Sequence, residues 1–364
     1  MARIRLPSLD SARHMMATGC RELPIACHTP GMDHSDGAGS GPSRPVTIYD
    51  VAREAGVATS TASRALSNPG RVSERTRAHV EEVARRLGYR PNRIAQALPS
   101  GRTRMLGLVV PDIANPHNAR LIRGAEAQAA AAGYTLVIAD SQEQPELEAA
   151  HVERLAPFVD GFVLSSRVDD AGLHGLRDRR PVVLFNRTLP ELPSVCVDFD
   201  DSGRQVVEHL TSLGHRTVAY LRGPATSWAD ATRRAALAAH CRRHGVALTL
   251  LGPFPPTLEA GAAAADAALA TDATAVIAFN DLLAIGVLQR LEHRGVAVPG
   301  ALSVVGGDDI FGATFCRPPL TTLASPADQA GRTLVDMLNG RIDATEVVLP
   351  APLVARDSTG PRRS

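Results

Sequence analysis

From residue 105 onward, short apolar runs alternate with amphipathic stretches, and the cycle runs twice. The first set of runs lies at 105–111 (MLGLVVP), 134–139, 161–165, 181–185 and 194–197, the second at 217–222, 247–251, 275–279 and 302–306. Runs this short and this continuously apolar read as strands covered on both faces, as parallel sheets require. Between them, over 118–132, 201–213, 231–244 and 281–294, apolar residues recur at helical spacing, with Gly133, Gly214, Gly245 and Gly295 placed as C-terminal caps. Parallel strands need long crossovers, which helices supply. Two successive strand–helix sets therefore predict an α/β body of two doubly wound parallel-sheet subdomains. Such sheets take ligands beyond the carboxyl ends of their strands, and two side by side make a cleft that can close.

Residues 46–98 follow a different, wholly helical rhythm. Thr47, with Asp50 three residues later, reads as a capping box; Ile48, Val51, Ala52 and Ala55 share one helix face, and Gly56 ends the helix. A second helix covers 59–66 with Ala62 and Leu66 inward, and Asn68-Pro69-Gly70 is a turn. Ser73 caps a third, with Val80, Val83, Ala84 and Leu87 inside and Gly88 closing it. Three short helices, the first two joined by a tight glycine turn, are a helix-turn-helix head. A fourth helical piece, 92–98, ends at Pro99.

Charge divides along the same line. The whole chain carries only +1, yet residues 45–104 hold 11 Arg against 5 acids (Asp50, Glu54, Glu74, Glu81, Glu82), and residues 105–364 hold 23 Arg against 29 acids. A basic head on an acidic body points to a polyanion as the partner of the head alone. There is no Lys, which together with abundant Ala, Gly and Pro reads as coding bias rather than selection for guanidinium chemistry.

Residues 1–44 are expected to be a disordered extension, since 31–45 (GMDHSDGAGSGPSRP) has no apolar period; an over-long start, with Met32 or a residue near Val46 as the true one, gives the same pattern. Cys20, Cys27, His28 and His34 lie scattered in it and do not read as a metal site. Five cysteines without a C-x-x-C fit reduced thiols rather than disulfides or zinc. No run of 18 apolar residues and no apolar core after Arg3 and Arg5 occur, so neither a membrane span nor a secretion signal is expected and the protein reads as cytoplasmic.

Three segments then fit a known pattern. The stretches VTIYDVAREAGVATSTASRALSN (46–68), RVSERTR (71–77) and GYRPNRIAQAL (88–98) resemble the DNA-reading head and hinge of the lactose-repressor (LacI/GalR) family of bacterial transcription regulators. In the body GLVVPDIANP (107–116), VDGFVLS (159–165), HLTSLGHRTVAYLRGP (209–224), AFNDLLAIG (278–286), VPGALSVVGGDDI (298–310) and PPLTTL (318–323) follow in the family's order. The resemblance covers 46–358 and implies a periplasmic-binding-protein-like body behind the head. The expected domains are the extension 1–44, the head 45–91, a hinge helix and linker 92–104, an effector-binding and dimerisation domain 105–358, and a tail 359–364.

On the residues themselves, the second helix presents Thr59, Ser60, Ser63 and Arg64 on its polar face, and Arg64 has the reach and fork to bind the O6 and N7 of a guanine. The resemblance implies that Thr59 and Ser60 read bases, that Tyr49, Thr61 and Ser63 hold phosphates, and that Asn92, Arg93, Gln96 and Leu98 belong to a hinge helix that forms on DNA, with Leu98 wedged into a minor-groove step. Ala58 departs from the family's usual serine cap, so Thr59 is a second candidate for capping that helix. In the cleft the resemblance implies effector contacts from His117, Asn118, Arg233, Phe254, Asn280 and Asp308. A carboxylate, an amide and a guanidinium beside one aromatic wall suit a sugar. His117-Asn118 replace two aromatics common in the family, Trp228 fits either that wall or subdomain packing, and Arg187 fits either a ligand clamp or an interdomain salt bridge.

The expected function is a repressor that binds a pseudo-palindromic operator as a homodimer and answers to a sugar-like effector. No leucine heptad follows Ser358 to build a tetramer. An enzyme on a nucleotide-binding fold is the weaker alternative: no G-x-G-x-x-G follows 105–110, a P-loop is impossible without Lys, and no G-x-S-x-G elbow occurs. A two-lobed sugar-binding or transport protein lacks a reason for the head. No cofactor and no metal are expected.

Overall fold

The computed structural model describes residues 3–5, 46–67, 70, 72–89 and 102–362. They fall into two units, dividing between Thr103 and Arg104, with the first residues of the chain in the larger unit. The expected hinge contacts Asn92, Arg93, Gln96 and Leu98 lie outside the described residues, as do residues 6–45 of the extension.

The head contains α1 (Ile48–Glu54), α2 (Thr59–Ser67) and α3 (Glu74–Arg86). The Asp50 carboxylate accepts from Thr47 N at 2.9 Å and from Thr47 Oγ1 at 2.7 Å, fixing the start of α1. Ser73 Oγ accepts from Thr76 N at 3.3 Å and does the same for α3. Val51, Ala52, Ala62, Ala65, Val80 and Val83 are buried where the three helices meet. Small core residues let such short helices approach closely, and Arg86 ties α3 back to Glu54 of α1 at 2.7 Å.

The larger unit is built on two parallel sheets. Its first lobe holds β2 (Met105–Val110), β3 (Thr135–Asp140), β4 (Gly161–Leu164), β5 (Val182–Phe185) and β6 (Ser194–Val197), joined by α4 (Pro116–Ala131), α5 (Pro145–Leu155) and α6 (Asp170–Arg177). The second lobe follows with α7 (Phe199–Ser212), β7 (Thr217–Leu221), α8 (Trp228–Arg243), β8 (Ala247–Leu251), α9 (Gly261–Leu269), β9 (Ala275–Ala278), α10 (Asp281–His293) and β10 (Ser303–Val305). The chain then returns. After β11 (Thr322–Leu323), α11 (Ala327–Leu338) and β12 (Glu346–Leu349) rejoin the first lobe, and β13 (Leu353–Val354) pairs antiparallel with β11 on the way back.

The second sheet runs β8-β7-β9-β10; the first runs β3-β2-β4-β5-β6-β12 and ends in one further strand, β1 (Arg3–Arg5). Every neighbouring pair in both is parallel. Apart from Ser194 and Ser303 the buried strand positions of both sheets are apolar, with Leu164, Leu184 and Val304 fully buried, as a sheet covered on both faces demands. On one face of the first sheet α4 crosses α11 at backbone contact: a Cβ on Gly124 would collide with the Asp328 carbonyl, and one on Gly331 with that of Leu121.

Two expectations need correction. The extension is not structureless throughout, because β12 leaves an open edge of backbone donors and acceptors that Arg3, Ile4 and Arg5 pair with in register, and Arg5 bridges to Asp198. The tail is not free of the body either. His209 Nε2 meets Thr359 Oγ1 at 2.9 Å, His215 Nε2 meets the Gly360 carbonyl at 3.1 Å, and Arg362 N donates to Leu213 O at 2.9 Å, so the second lobe continues to residue 362.

Candidate functional site

In the head, α2 carries the polar face. Its first intrahelical bonds, from Thr61 N (2.8 Å) and Ala62 N (3.0 Å), run to the Ala58 carbonyl, so Ala58 is the cap position and Thr59 is already the first helical residue. Capping thus makes no claim on the Thr59 hydroxyl. Ser60 and Arg64 are exposed, while Thr59, Thr61 and Ser63 are half-buried beside them. Tyr49 on α1 is 68% exposed, an aromatic hydroxyl standing in water with no core to serve. Arg64 is in no ion pair among the described residues, whereas Arg53, Arg77, Arg85 and Arg86 each meet a carboxylate of the head. Arg64 on α2 and Arg75 on α3 are thus the exposed guanidiniums of the head's described helices that no carboxylate neutralises, and of the two Arg64 stands on the polar face of α2.

In the body the carboxyl ends of the strands converge on a cavity of about 60 Å³ between the lobes. The first lobe contributes Pro111 after β2, His117 and Asn118 at the start of α4, Glu143 after β3, Ser165 and Arg167 after β4, and Phe185 and Asn186 at the end of β5. The second contributes Ser227, Ala229 and Arg233 of the α8 turn, Pro256 after β8, Phe279 and Asn280 after β9, and Asp308 after β10. Glu143, Asn186 and Asp308 all have positive φ (59°, 52° and 142°), a conformation L-residues take only when the surroundings impose it.

Arg233 is the most constrained of these. Its guanidinium lies over the rings of Phe199 and Phe279 at 5.0 and 5.1 Å, and it donates to the Phe279 carbonyl. Its Nε is buried with no hydrogen-bond partner. Across the cavity His117 stacks on Phe185 (6.1 Å between centroids, 19° between planes), and its buried Nδ1, also without a hydrogen-bond partner, stands 3.5 Å from Asp308 Oδ1. Burial, helped by Arg233 and Arg120, pushes the His117 imidazole down to about 3 and keeps it neutral. Burial pushes the Asp308 carboxyl up to about 7, against the pull of Arg233 and Arg120.

Other polar groups are already spoken for. Asn280 Oδ1 accepts from Leu283 N (2.9 Å), capping α10, and its amide donates to the Pro256 carbonyl (2.9 Å). Asn118 donates to the Asp112 carbonyl at 2.7 Å. Both line the cavity, but chiefly they shape it. Phe254 does not reach it. It lines a wider vestibule of about 510 Å³ with Pro253, Pro255 and Pro256, which adjoins the cavity at Pro111, Glu143 and Pro256. Phe279, which follows β9, supplies the aromatic wall instead. Arg187 is neither of its two expected things: it donates to the Val168 carbonyl and to Asp170, all within the first lobe. Trp228 packs with Val197, Phe199 and Ala351, where the chain passes between the lobes.

Sequence reasoning missed Arg167, Glu143, Phe185, Phe279 and Asp281. Arg167 Nε donates to Glu143 Oε2 at 2.6 Å, and both follow first-lobe strands, so a strict strand-end rule would have found them. Asp281 is fully buried and accepts from Ile310 N (2.8 Å) and Thr322 Oγ1 (2.5 Å), which fixes the loop bearing Asp308. Burial and the neighbouring carboxylates of Asp308 and Asp309 push it up to about 7, against its two donors. Among the described residues no His, Cys, Asp and Glu cluster could hold a metal, and no helix is long and apolar enough to cross a membrane.

Known proteins share both parts. Residues 47–92 match the lacI family of bacterial regulatory proteins, and residues 207–359 a periplasmic binding protein-like domain. The HTH-type transcriptional regulator DegA of Bacillus subtilis (strain 168) is 34% identical over 331 residues, covering 86% of this chain and 98% of that protein. The crystal structure of the lac repressor dimer bound to operator and the anti-inducer ONPF matches with a TM-score of 0.77 at 28% identity, over 87% of this chain and all of that one. A LacI family regulator from Enterococcus faecium with bound ribose matches with a TM-score of 0.63 at 29% identity, over 71% of this chain and all of that one. Head and body together are thus accounted for along nearly the whole length of a known regulator, and the chain belongs to the lacI family of bacterial transcriptional regulators.

Proposed function

We propose that this regulator is a repressor that binds a pseudo-palindromic operator as a homodimer and is controlled by a sugar or sugar derivative held between the lobes of its body. The observation that carries the reading is the pair of buried, unpartnered nitrogens, Arg233 Nε and His117 Nδ1, on opposite walls of one cavity with Asp308 beside them. Buried polar atoms without partners are costly, and a ligand rich in hydroxyls answers them all at once: its oxygens accept from Arg233, and its O–H groups donate to His117 Nδ1 and Asp308. The faces of Phe185 and Phe279 suit the C–H side of a sugar ring. The ribose-bound relative supports the ligand class.

A cavity of about 60 Å³ is far below the roughly 300–1,000 Å³ of ligand clefts. The 3.5 Å between His117 and Asp308 leaves no place for a ligand group, so entry must part the lobes there. Parting them changes the geometry at the start of the body, where the hinge attaches, and this couples ligand to operator. Phe311 and Phe315, 70% and 74% exposed and packed edge to face at 6.0 Å, are an apolar surface that a second copy would cover. Tyr49, Thr59, Ser60, Thr61, Ser63 and Arg64 supply the head's contacts, with Arg64 on a guanine.

The test is selection of operators from random duplex DNA by the full chain, repeated with a panel of sugars. A palindromic consensus whose retention responds to one sugar is the expected result. Selection of DNA without sequence preference, or a consensus indifferent to every sugar, overturns the corresponding half of the reading.

A further inference from the structure

In the first lobe, between α5 and α6 and beside the end of β4, lies a groove of about 280 Å³. Its walls are apolar, chiefly Val152, Leu164, Val168, Leu173 and Leu176, kept apart by small residues such as Ala149 and Gly175. Glu148, only 1% exposed, lines it from α5. One carboxylate oxygen, Oε2, accepts from Arg167 N at 2.7 Å. The other, Oε1, is buried with no hydrogen-bond partner. Burial pushes this carboxyl up, against the pull of Ser166, Arg167 and Val168. The carboxylate thus has polar neighbours in Ser166, Arg167 and Val168 on one side and Oε1 left over, and an unsatisfied buried acceptor costs about 1–3 kcal/mol and more when charged.

We propose that this groove is a second small-molecule site, distinct from the interlobe cavity, for a compact apolar body carrying a protonated amine. The apolar walls take the body, and a cavity of roughly 150 Å³ already suffices for benzene. The amine donates to Glu148 Oε1. A charged donor is favoured over a hydroxyl because it offsets the buried carboxylate charge as well as satisfying the oxygen. Glu153 and Arg179 at the rim add one charge of each sign and leave the choice to Glu148. One hydrogen bond separates the site from the cavity, since the residue whose backbone Glu148 holds is Arg167, and the Arg167 side chain lines that cavity.

Benzylamine is the probe, titrated into the full chain with methyl-labelled Leu and Val. Saturable shifts at Leu173, Leu176 and Val152 are expected, with benzyl alcohol binding about tenfold or more weakly. Glu148→Gln and, independently, Gly175→Leu each weaken benzylamine binding about tenfold or more. The second variant fills the groove where a Cβ on Gly175 meets open space, so the fold is not at stake. Asp308→Asn, in the cavity, leaves benzylamine binding unchanged. Absence of saturable shifts at these methyls overturns the proposal, as does binding that survives both groove variants or is lost with Asp308→Asn. Benzyl alcohol binding as tightly as benzylamine overturns the amine class.

Discussion

The head and the body place their charge in opposite ways. The head holds its excess of arginine on exposed helix faces, with Arg64 standing in water. The body balances its surface charges in pairs such as Arg204–Asp201, Arg290–Asp266 and Arg332–Asp328, and hides Arg233 and Asp308 in a cavity. Exposed charge acts at long range, is screened by salt, and suits a polymer with a charge at every step. Buried charge acts only on contact and escapes screening, but it answers to protonation and desolvation. One chain thereby keeps a polyelectrolyte partner and a small-molecule partner from competing.

Salt gives the largest separation between them. A dimer making about 6–10 phosphate contacts should lose roughly 10³–10⁵ in operator affinity between about 50 and 200 mM salt. Effector affinity, measured by calorimetry over the same range, should hardly move. A flat operator titration would break the comparison at the head, and a steep effector titration would break it at the body.

Point variants come next in size. Arg233→Ala or Asp308→Ala removes charge-assisted bonds of about 1.5–3 kcal/mol and should weaken effector binding by roughly tenfold to a few hundredfold. Operator binding without effector should stay near wild type, by mobility shift. Unchanged effector affinity in both variants would move the ligand elsewhere. Arg64→Ala should cost about 1–3 kcal/mol of operator binding and relax the preference at one symmetric base pair per half-site, read by repeating the selection. A variant that retains every base preference shows that Arg64 only faces solvent.

The same contrast explains what could be read from the sequence. The three head helices were legible because caps and glycine stops are local: Thr47, Asp50, Gly56 and Ser73 mark their ends one by one. The strands of both lobes were legible as apolar runs. The return of the chain through α11 and β12 was not, because joining the first sheet beside β6 is a long-range choice that no local pattern records. Asp308 and Arg233 could be placed at strand and helix ends, but the burial that shifts Asp308 comes from both lobes closing on it. Only the resemblance assigns Phe254 to the cavity; Phe279, inside the strand-like run 275–279, fills that place. Arg3 to Arg5 are too few to carry a period that marks a strand, and only the open edge of β12 gives them a partner.

Deleting residues 1–5 tests that last point. The deletion bares the outer edge of β12 and removes the Arg5–Asp198 bridge, an exposed pair worth no more than about 1 kcal/mol. Hydrogen exchange should rise at Val347 and Val348, while operator and effector affinities stay within about twofold. Exchange unchanged along β12 would show that the edge is not held by these residues.

The smallest expected effect is the dependence of the effector-free body on pH, and it isolates the buried charge most directly. Asp308 and Asp281 both have carboxyls raised to about 7, so the folded chain holds protons there that the unfolded chain gives up near about pH 4. Stability associated with a raised carboxyl is complete at low pH and is lost as pH climbs from about 4 through 7. His117, lowered to about 3, acts in the opposite sense: its contribution grows as pH rises toward about 6.5 and offsets one of the two carboxyls over that range. Above about pH 6.5 nothing offsets them, so melting temperature should fall as pH climbs to about 7, most steeply at the upper end, and level off beyond it. Asp308→Asn removes one buried charge while keeping the volume. It should melt higher than wild type at pH 8, by on the order of a few degrees, with the advantage shrinking to nothing in acid. Sugar binding should show the complementary trend. A hydroxyl donates to a carboxylate and not to its acid proton, so wild-type affinity should rise through about pH 7, whereas the Asn variant should bind weakly and without that rise. Identical pH profiles for the two proteins, in melting and in ligand affinity, would mean that Asp308 titrates like a surface carboxylate and that the cavity is open to water.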